Sequence, residues 1–227
     1  MGPRITSASW DVYREIHKAI RYALFGVTIR AGATDAANDA AVRSLLAAWD
    51  DVRSVLVGHH AHEDEFCDPL IEQHAPQLRA ELEEAHELSD GVIARLQATA
   101  SRIAASQDED RWSLLRSFHL DLADFVGQYI DHLRFEEDLV MPALNAAMTN
   151  EELAAVTAQI RGSVPPDEMC VFIRFMAPAM NFPERLDMLG GMHQGAPADI
   201  FEMFRAAAQA ALDPVDYDAV ATAAGFA

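Results

Sequence analysis

The sequence predicts an all-α protein: an up-down four-helix bundle at 1–147, then an additional C-terminal set of short helices at 148–227. Three observations predict it. Apolar residues recur in steps of three and four through four successive segments, the pattern of an inward-facing helix seam. Turn-forming residues separate those segments. One segment also returns in near copy 73 residues on: His59-His-Ala-His-Glu63-Asp-Glu-Phe-Cys-Asp-Pro69 and His132-Leu-Arg-Phe-Glu136-Glu-Asp-Leu-Val-Met-Pro142.

The first helix is expected at about 8–30, with Trp10, Tyr13, His17, Ile20, Leu24 and Val27 along its seam. After Gly32-Ala-Thr-Asp35, a second helix at 39–73 carries Leu45, Trp49, Val52, Leu56, His59, Glu63 and Phe66. Pro69 to Pro76 punctuates the chain before a third at 77–105, with Leu82, His86, Ser89, Ile93, Leu96 and Ile103. Ser106 to Asp110 precedes a fourth at 110–147, with Phe118, Leu122, Phe125, Tyr129, His132, Glu136 and Leu139. Beyond it, Thr149-Asn-Glu-Glu152 has the form of a capping box. Pro165-Pro166-Asp-Glu, Pro183-Glu-Arg, Pro197-Ala-Asp and Pro214-Val-Asp then mark first turns of short helices, where proline and acidic residues are favoured. Six of the nine methionines lie at 149–227, which suits packing on the bundle or a homodimer interface.

Composition narrows the function classes. A formal charge of −19 argues against nucleic acid and against an anionic membrane surface. Two cysteines, Cys67 and Cys170, provide no disulfide framework. The first twenty residues lack a signal-peptide core, and no apolar run approaches the roughly 20 residues of a membrane span. The expectation is a cytoplasmic protein.

The chemistry lies in polar residues at seam positions. His17, His59, Glu63, His86, His132 and Glu136 all fall among Leu, Ile, Val, Phe and Trp. Burying imidazoles and carboxylates without partners costs several kcal/mol per group, on the order of 2–7 for neutral polar groups. A pair of cations would compensate all six. His and Glu four apart on a helix project from one face. The chain reads as a lone histidine then His-x-x-x-Glu, twice over, with the lone histidines 69 residues apart and the pairs 73. The simplest arrangement has both glutamates bridging two ions and two histidines terminal on each. That leaves coordination positions for an oxo or hydroxo bridge and one exogenous ligand.

This pattern resembles the hemerythrin-like (HHE cation-binding) family over about 8–147, including the proline after each His-x-x-x-Glu. The resemblance implies a non-haem di-iron centre held by His17, His59, Glu63, His86, His132 and Glu136, the four-His two-Glu branch. Oxygen-carrying hemerythrins have a second histidine one turn after that of the third helix, where this chain has Asp90. Their last helix has an aspartate five residues after its histidine, where here Glu136 follows His132 by four. Dioxygen transport is therefore not carried over.

Around the six, Tyr13 and Tyr129 lie one turn from His17 and His132, and each can meet a ligand in the pocket or simply fill the core. His60 and His62 flank the seam as candidate rim or supporting residues. Asp90, one residue off the seam, is a candidate supporting group. His74, His119 and His193 read as surface, helix-end or structural residues. Trp10, Trp49, Phe66, Phe118 and Phe125 are expected to wall the site. Imidazole and carboxylate suit iron and also accept manganese, zinc or cobalt; the resemblance favours iron. The expected function is binding of dioxygen, nitric oxide or peroxide in sensing or stress response. The alternatives are a di-iron oxidoreductase, catalase-like or nitric-oxide-processing, and iron handling.

Overall fold

The computed structural model describes residues 9–227, with backbone alone at 108 and 109. Among the described residues there is no strand. The long helices are α1 (Arg14–Ala33), α2 (Asp39–His62), α4 (Arg79–Ala105) and α5 (Asp108–Phe135). Short continuations α3 (Asp68–His74) and α6 (Met141–Ala147) extend α2 and α5 through π-helical turns at Glu63–Cys67 and Glu136–Val140. Five further helices follow: α7 (Asn150–Ser163), α8 (Pro166–Ala179), α9 (Phe182–Gly195), α10 (Ala198–Ala211) and α11 (Pro214–Ala224). No described helix is long and apolar enough to cross a membrane.

The chain forms two compact units. One comprises the chain through Tyr13 together with Ala23–Val156; the other comprises Arg14–Tyr22 with Thr157–Ala227. In the first, α4 packs on α5 and α2, and α3 packs on α6. Its core follows the expected seam: Leu45, Trp49, Leu56, Leu96, Ile103, Phe118 and Leu122 are buried. Trp49 meets Phe118 edge-on at 5.5 Å, and its indole N–H donates to Gln97 at 2.9 Å, so the large ring is buried without an orphaned donor. Arg111 ties two loops together. Its guanidinium donates to the Ala36 and Ser106 carbonyls and pairs with Asp39 at 2.6 Å. Gly32 is required by close approach, because a Cβ there would lie 2.9 Å from the His119 ring.

In the second unit α8 packs on α10 and α9 on α11. The proline rule holds: Pro166, Pro183 and Pro214 occupy first turns, and Pro197 immediately precedes α10. The Thr149 capping box forms, with Glu152 N–H donating to the Thr149 hydroxyl at 3.2 Å and Thr149 N–H to the Glu152 carboxylate at 2.8 Å. Asn181 and Glu184 make a second box, and Glu184 also receives the Lys18 ammonium at 2.6 Å. His193 packs against Phe201 and Phe226, the structural role expected of it.

Two expectations are corrected. The first helix begins at Arg14 rather than near 8, a position outside the described residues. The Asp11 side chain accepts from Tyr13 N–H at 3.0 Å, a turn that delays the helix. Trp10 is accordingly 38% exposed and walls nothing. The seam also shifts after each glutamate. Instead of Phe66 and Leu139, it continues through Cys67 and Val140; Phe66 is half-buried and Leu139 49% exposed. The cause is the π turn, which inserts one extra residue per loop of backbone. Asp68 N–H reaches back five residues to Glu63 O, and Met141 N–H to Glu136 O. Pro69 and Pro142 follow directly. A proline ring lacks the N–H and crowds the carbonyl four residues back, which an ordinary turn does not accommodate.

Candidate metal centre

The π turns place the glutamates. Glu63 and Glu136 each open one, at the point where α2 and α5 would otherwise continue unbroken. One turn earlier on the same helices stand His59 and His132; His86 comes from α4 and His17 from α1. All six are buried, none more than 7% exposed.

Their ligand atoms converge. His17, His59, Glu63 and Glu136 form one group, Glu63, His86, His132 and Glu136 a second, and His60, His86 and His132 a third, the atoms within each lying within 4.8 Å of one another. Both glutamates belong to the first two groups. Nε2 of His59 lies 3.4 Å from Glu63, and Nε2 of His132 lies 3.4 Å from Glu136. His86 Nε2 is 3.3 Å from Glu63 and 3.9 Å from Glu136.

A cation fits this donor set. Both carboxylate oxygens of Glu63 and Nε2 of His86 are buried without making a hydrogen bond, although they face one another across little more than 3 Å. Lone pairs aimed at a shared space, from imidazole and carboxylate together, suit a divalent metal. The electrostatics agree. Burial, reinforced by Glu136, drives the Glu63 carboxyl well above its ordinary range. Burial would pull the His86 imidazole down, but Glu136 and Glu63 overcome it and push it up to about 10. A cation among these groups would satisfy the charges that burial disfavours.

Residues 9–144 match the family model described as the hemerythrin HHE cation binding domain. The chain belongs to this family. No curated protein and no solved structure is significantly similar to it. For the hemerythrin HHE domain, a cation is therefore expected at the buried cluster, and the two groups that contain the glutamates are compatible with the four-His two-Glu branch.

The residues around the six divide differently from the sequence reading. Tyr129 is fully buried, and its hydroxyl lies 2.9 Å from His60 Nε2. Asp90 stands outside all three metal groups, its carboxylate 2.9 Å from Nδ1 of His60, a member of the third. His62 is half-buried against Phe66, also outside the groups. Tyr13 is buried. Burial itself, then Cys67, Glu136 and Glu63, push its hydroxyl pKa well up. Cys67 is buried, and burial followed by Glu63 raises its thiol pKa.

Two residues escaped the sequence reading. His60 was placed beside the seam, yet it is only 4% exposed and stacks on His86 with ring centroids 4.4 Å apart. Burial, then the neighbouring His86, holds it below its ordinary pKa. The available signal was stripe width: α2 buries Val55, Leu56, His59 and His60, a band broader than a single line of seam positions. Asp64 was not singled out by the sequence reading; it is exposed, and its carboxylate lies 3.5 Å from His86 Nδ1.

Proposed function

We propose that the protein is a non-haem di-iron protein that binds dioxygen, nitric oxide or peroxide at a carboxylate-bridged centre, in a sensing or stress-response role. One observation carries this reading: six buried ligand-type residues fall into two groups that share Glu63 and Glu136. His17 and His59 would serve one ion, His86 and His132 the other, and the glutamates both. Four protein contacts per ion leave open positions on a six-coordinate metal. When bound, iron supplies the redox and Lewis-acid chemistry that small diatomic and peroxide ligands require.

The chain's own residues do the rest. Glu63 and Glu136 offset the charge of the cations. Trp49, Phe118 and Phe125, all buried, exclude water from the bundle core. An oxidoreductase, catalase-like or nitric-oxide-processing, is the second reading. It is favoured by the link from buried Tyr129 through His60 to exposed Asp90, because O–O bond cleavage needs protons moved.

The test is metal content of the chain purified without added metal, with an optical spectrum before and after peroxide or nitric oxide. Close to two irons per chain and a ligand-responsive spectrum are expected, and joint substitution Glu63→Ala and Glu136→Ala should remove stoichiometric metal. Repeated turnover of peroxide would move the assignment to the oxidoreductase. Readily exchanging iron with no response to either ligand would move it to iron handling. Zinc or no metal in a folded chain would sink all the redox readings.

A further inference from the structure

We propose that Asp90, His60 and Tyr129 form a proton relay that carries a proton from the metal pocket to solvent. The three residues come from three helices, α4, α2 and α5, and the two contacts between them are both 2.9 Å. Exposure falls steeply along the line: the Asp90 side chain is 61% exposed, that of His60 5%, and Tyr129 is fully buried. The inner end meets the candidate ligands. The His60 ring stacks on His86 at 4.4 Å and on Tyr129 at 5.6 Å, while the Tyr129 ring stands edge-on to His132 at 5.5 Å. The hydrogen bonds at both ring nitrogens and the stacked His86 ring hold the imidazole in one orientation.

The hydrogen-bond roles give the relay its direction. A carboxylate only accepts, so Nδ1 of His60 carries the ring proton and donates it to Asp90. With the proton on Nδ1, Nε2 is the acceptor for the Tyr129 O–H. The phenol oxygen keeps a second lone pair, so in this relay Tyr129 receives a proton at its oxygen as it passes its own on. The transfer balances as a chain of hops. A protic molecule in the pocket, water or hydrogen peroxide, gives its proton to the Tyr129 oxygen. The original Tyr129 O–H breaks as Nε2–H forms on His60. The Nδ1–H breaks as an O–H forms on Asp90, and Asp90 releases that proton to water. No electrons change hands, the pocket retains the conjugate base, and the reverse passage resets the ring.

A purely structural role explains less. Leu133 occupies the place of His60 in the second copy of the repeat and is fully buried, so the fold has no need of a polar residue there. Nor does a structural contact need its outer member to be a solvent-exposed carboxylate. The inner end of the relay rests on the di-iron reading; the hydrogen-bonded chain itself does not.

Two measurements on the full chain, with metal content determined first, separate the possibilities. In histidine ¹⁵N NMR of the zinc-loaded chain, or of the metal-free chain if none is retained, His60 should carry its proton on Nδ1 with Nε2 accepting. A proton on Nε2 would overturn the relay whatever the metal result. In the iron-loaded chain, the optical change after mixing with hydrogen peroxide should slow about tenfold or more in Asp90→Asn. That amide can still accept from Nδ1 but cannot take the proton, so the tautomer and the iron content should stay unchanged. Formate in the buffer, or Asp90→Glu, should restore the rate. An Asp90→Asn chain with full iron that reacts at the wild-type rate would reduce the trio to a packing arrangement. Failure to load metal would count against the di-iron reading and leave the tautomer to decide the relay.

Discussion

The two copies of the repeat, α2 through α3 and α5 through α6, agree at some positions and part at others. They share His59 with His132, Glu63 with Glu136, the π turn, the proline, and buried Ile71 with Leu144. They differ at His60 against Leu133, Leu56 against Tyr129, and Cys67 against Val140. The lone histidines behave alike: Tyr13 stands four residues before His17, where Leu82 stands four before His86. In the three unmatched pairs of the repeat a polar or soft side chain in one copy takes the place of an aliphatic one in the other, and all six residues are buried. What recurs includes the proposed ligands; what does not recur makes the two copies chemically unequal.

Metal removal should give the largest effect, since it strips what both copies serve. A site held at a thousandfold above its dissociation constant contributes about 4 kcal/mol of stability. Chelation should therefore lower the thermal unfolding midpoint clearly, as read by circular dichroism. The single substitutions Glu63→Ala and Glu136→Ala should next weaken metal binding by similar factors, at least about tenfold, which is the scale of losing even an outer partner of a ligand. Chelator competition would measure this, and one variant retaining wild-type affinity would break the equivalence of the copies.

Changing His60→Leu, which copies Leu133, should leave the metal content intact yet cost about 1–3 kcal/mol, because the Tyr129 hydroxyl is left buried without its acceptor. Adding Tyr129→Phe should recover most of that loss in urea denaturation, and simple additivity of the two changes would show that the pair is not coupled. Smallest is Cys67→Val, which copies Val140. It should shift stability by less than about 1.5 kcal/mol and leave metal content unchanged. A large loss would assign the thiol a role that its counterpart lacks.

Much of this was legible in the sequence. The seam up to each glutamate follows the three-four rhythm without error, because ordinary helix packing sets it, and the polar residues stand out against it. Past Glu63 and Glu136 the rhythm misplaces Phe66 and Leu139, because one extra residue in a turn leaves no compositional mark. The proline six residues after each glutamate was the visible trace. Trp10 kept the periodicity but not the helix, since the Asp11 side chain captured a backbone N–H that helical extension would have used. His60 was obscured because a helix within a bundle buries a band, and a single seam line samples only its middle. Asp90 and Tyr129 were both visible as candidates, but the contacts joining them run through a residue 30 positions from one and 69 from the other. No local pattern reports such a link.

The wide turns also divide each helix into two stretches with separate phase. Upstream, the rotation of α2 and α5 is set by where His59 and His132 must point; downstream, α3 and α6 are set by the packing of Ile71 and Leu144. A straight helix would force one angle to satisfy both demands, so any retuning of the ligand end would propagate to the far end of the bundle. With a slipped residue between them, the two ends can drift apart in sequence without dragging each other. Deleting a single residue between Glu63 and Pro69 would close the wide turn into ordinary helix, place Ile71 seven positions after Glu63, and put both ends under one angle.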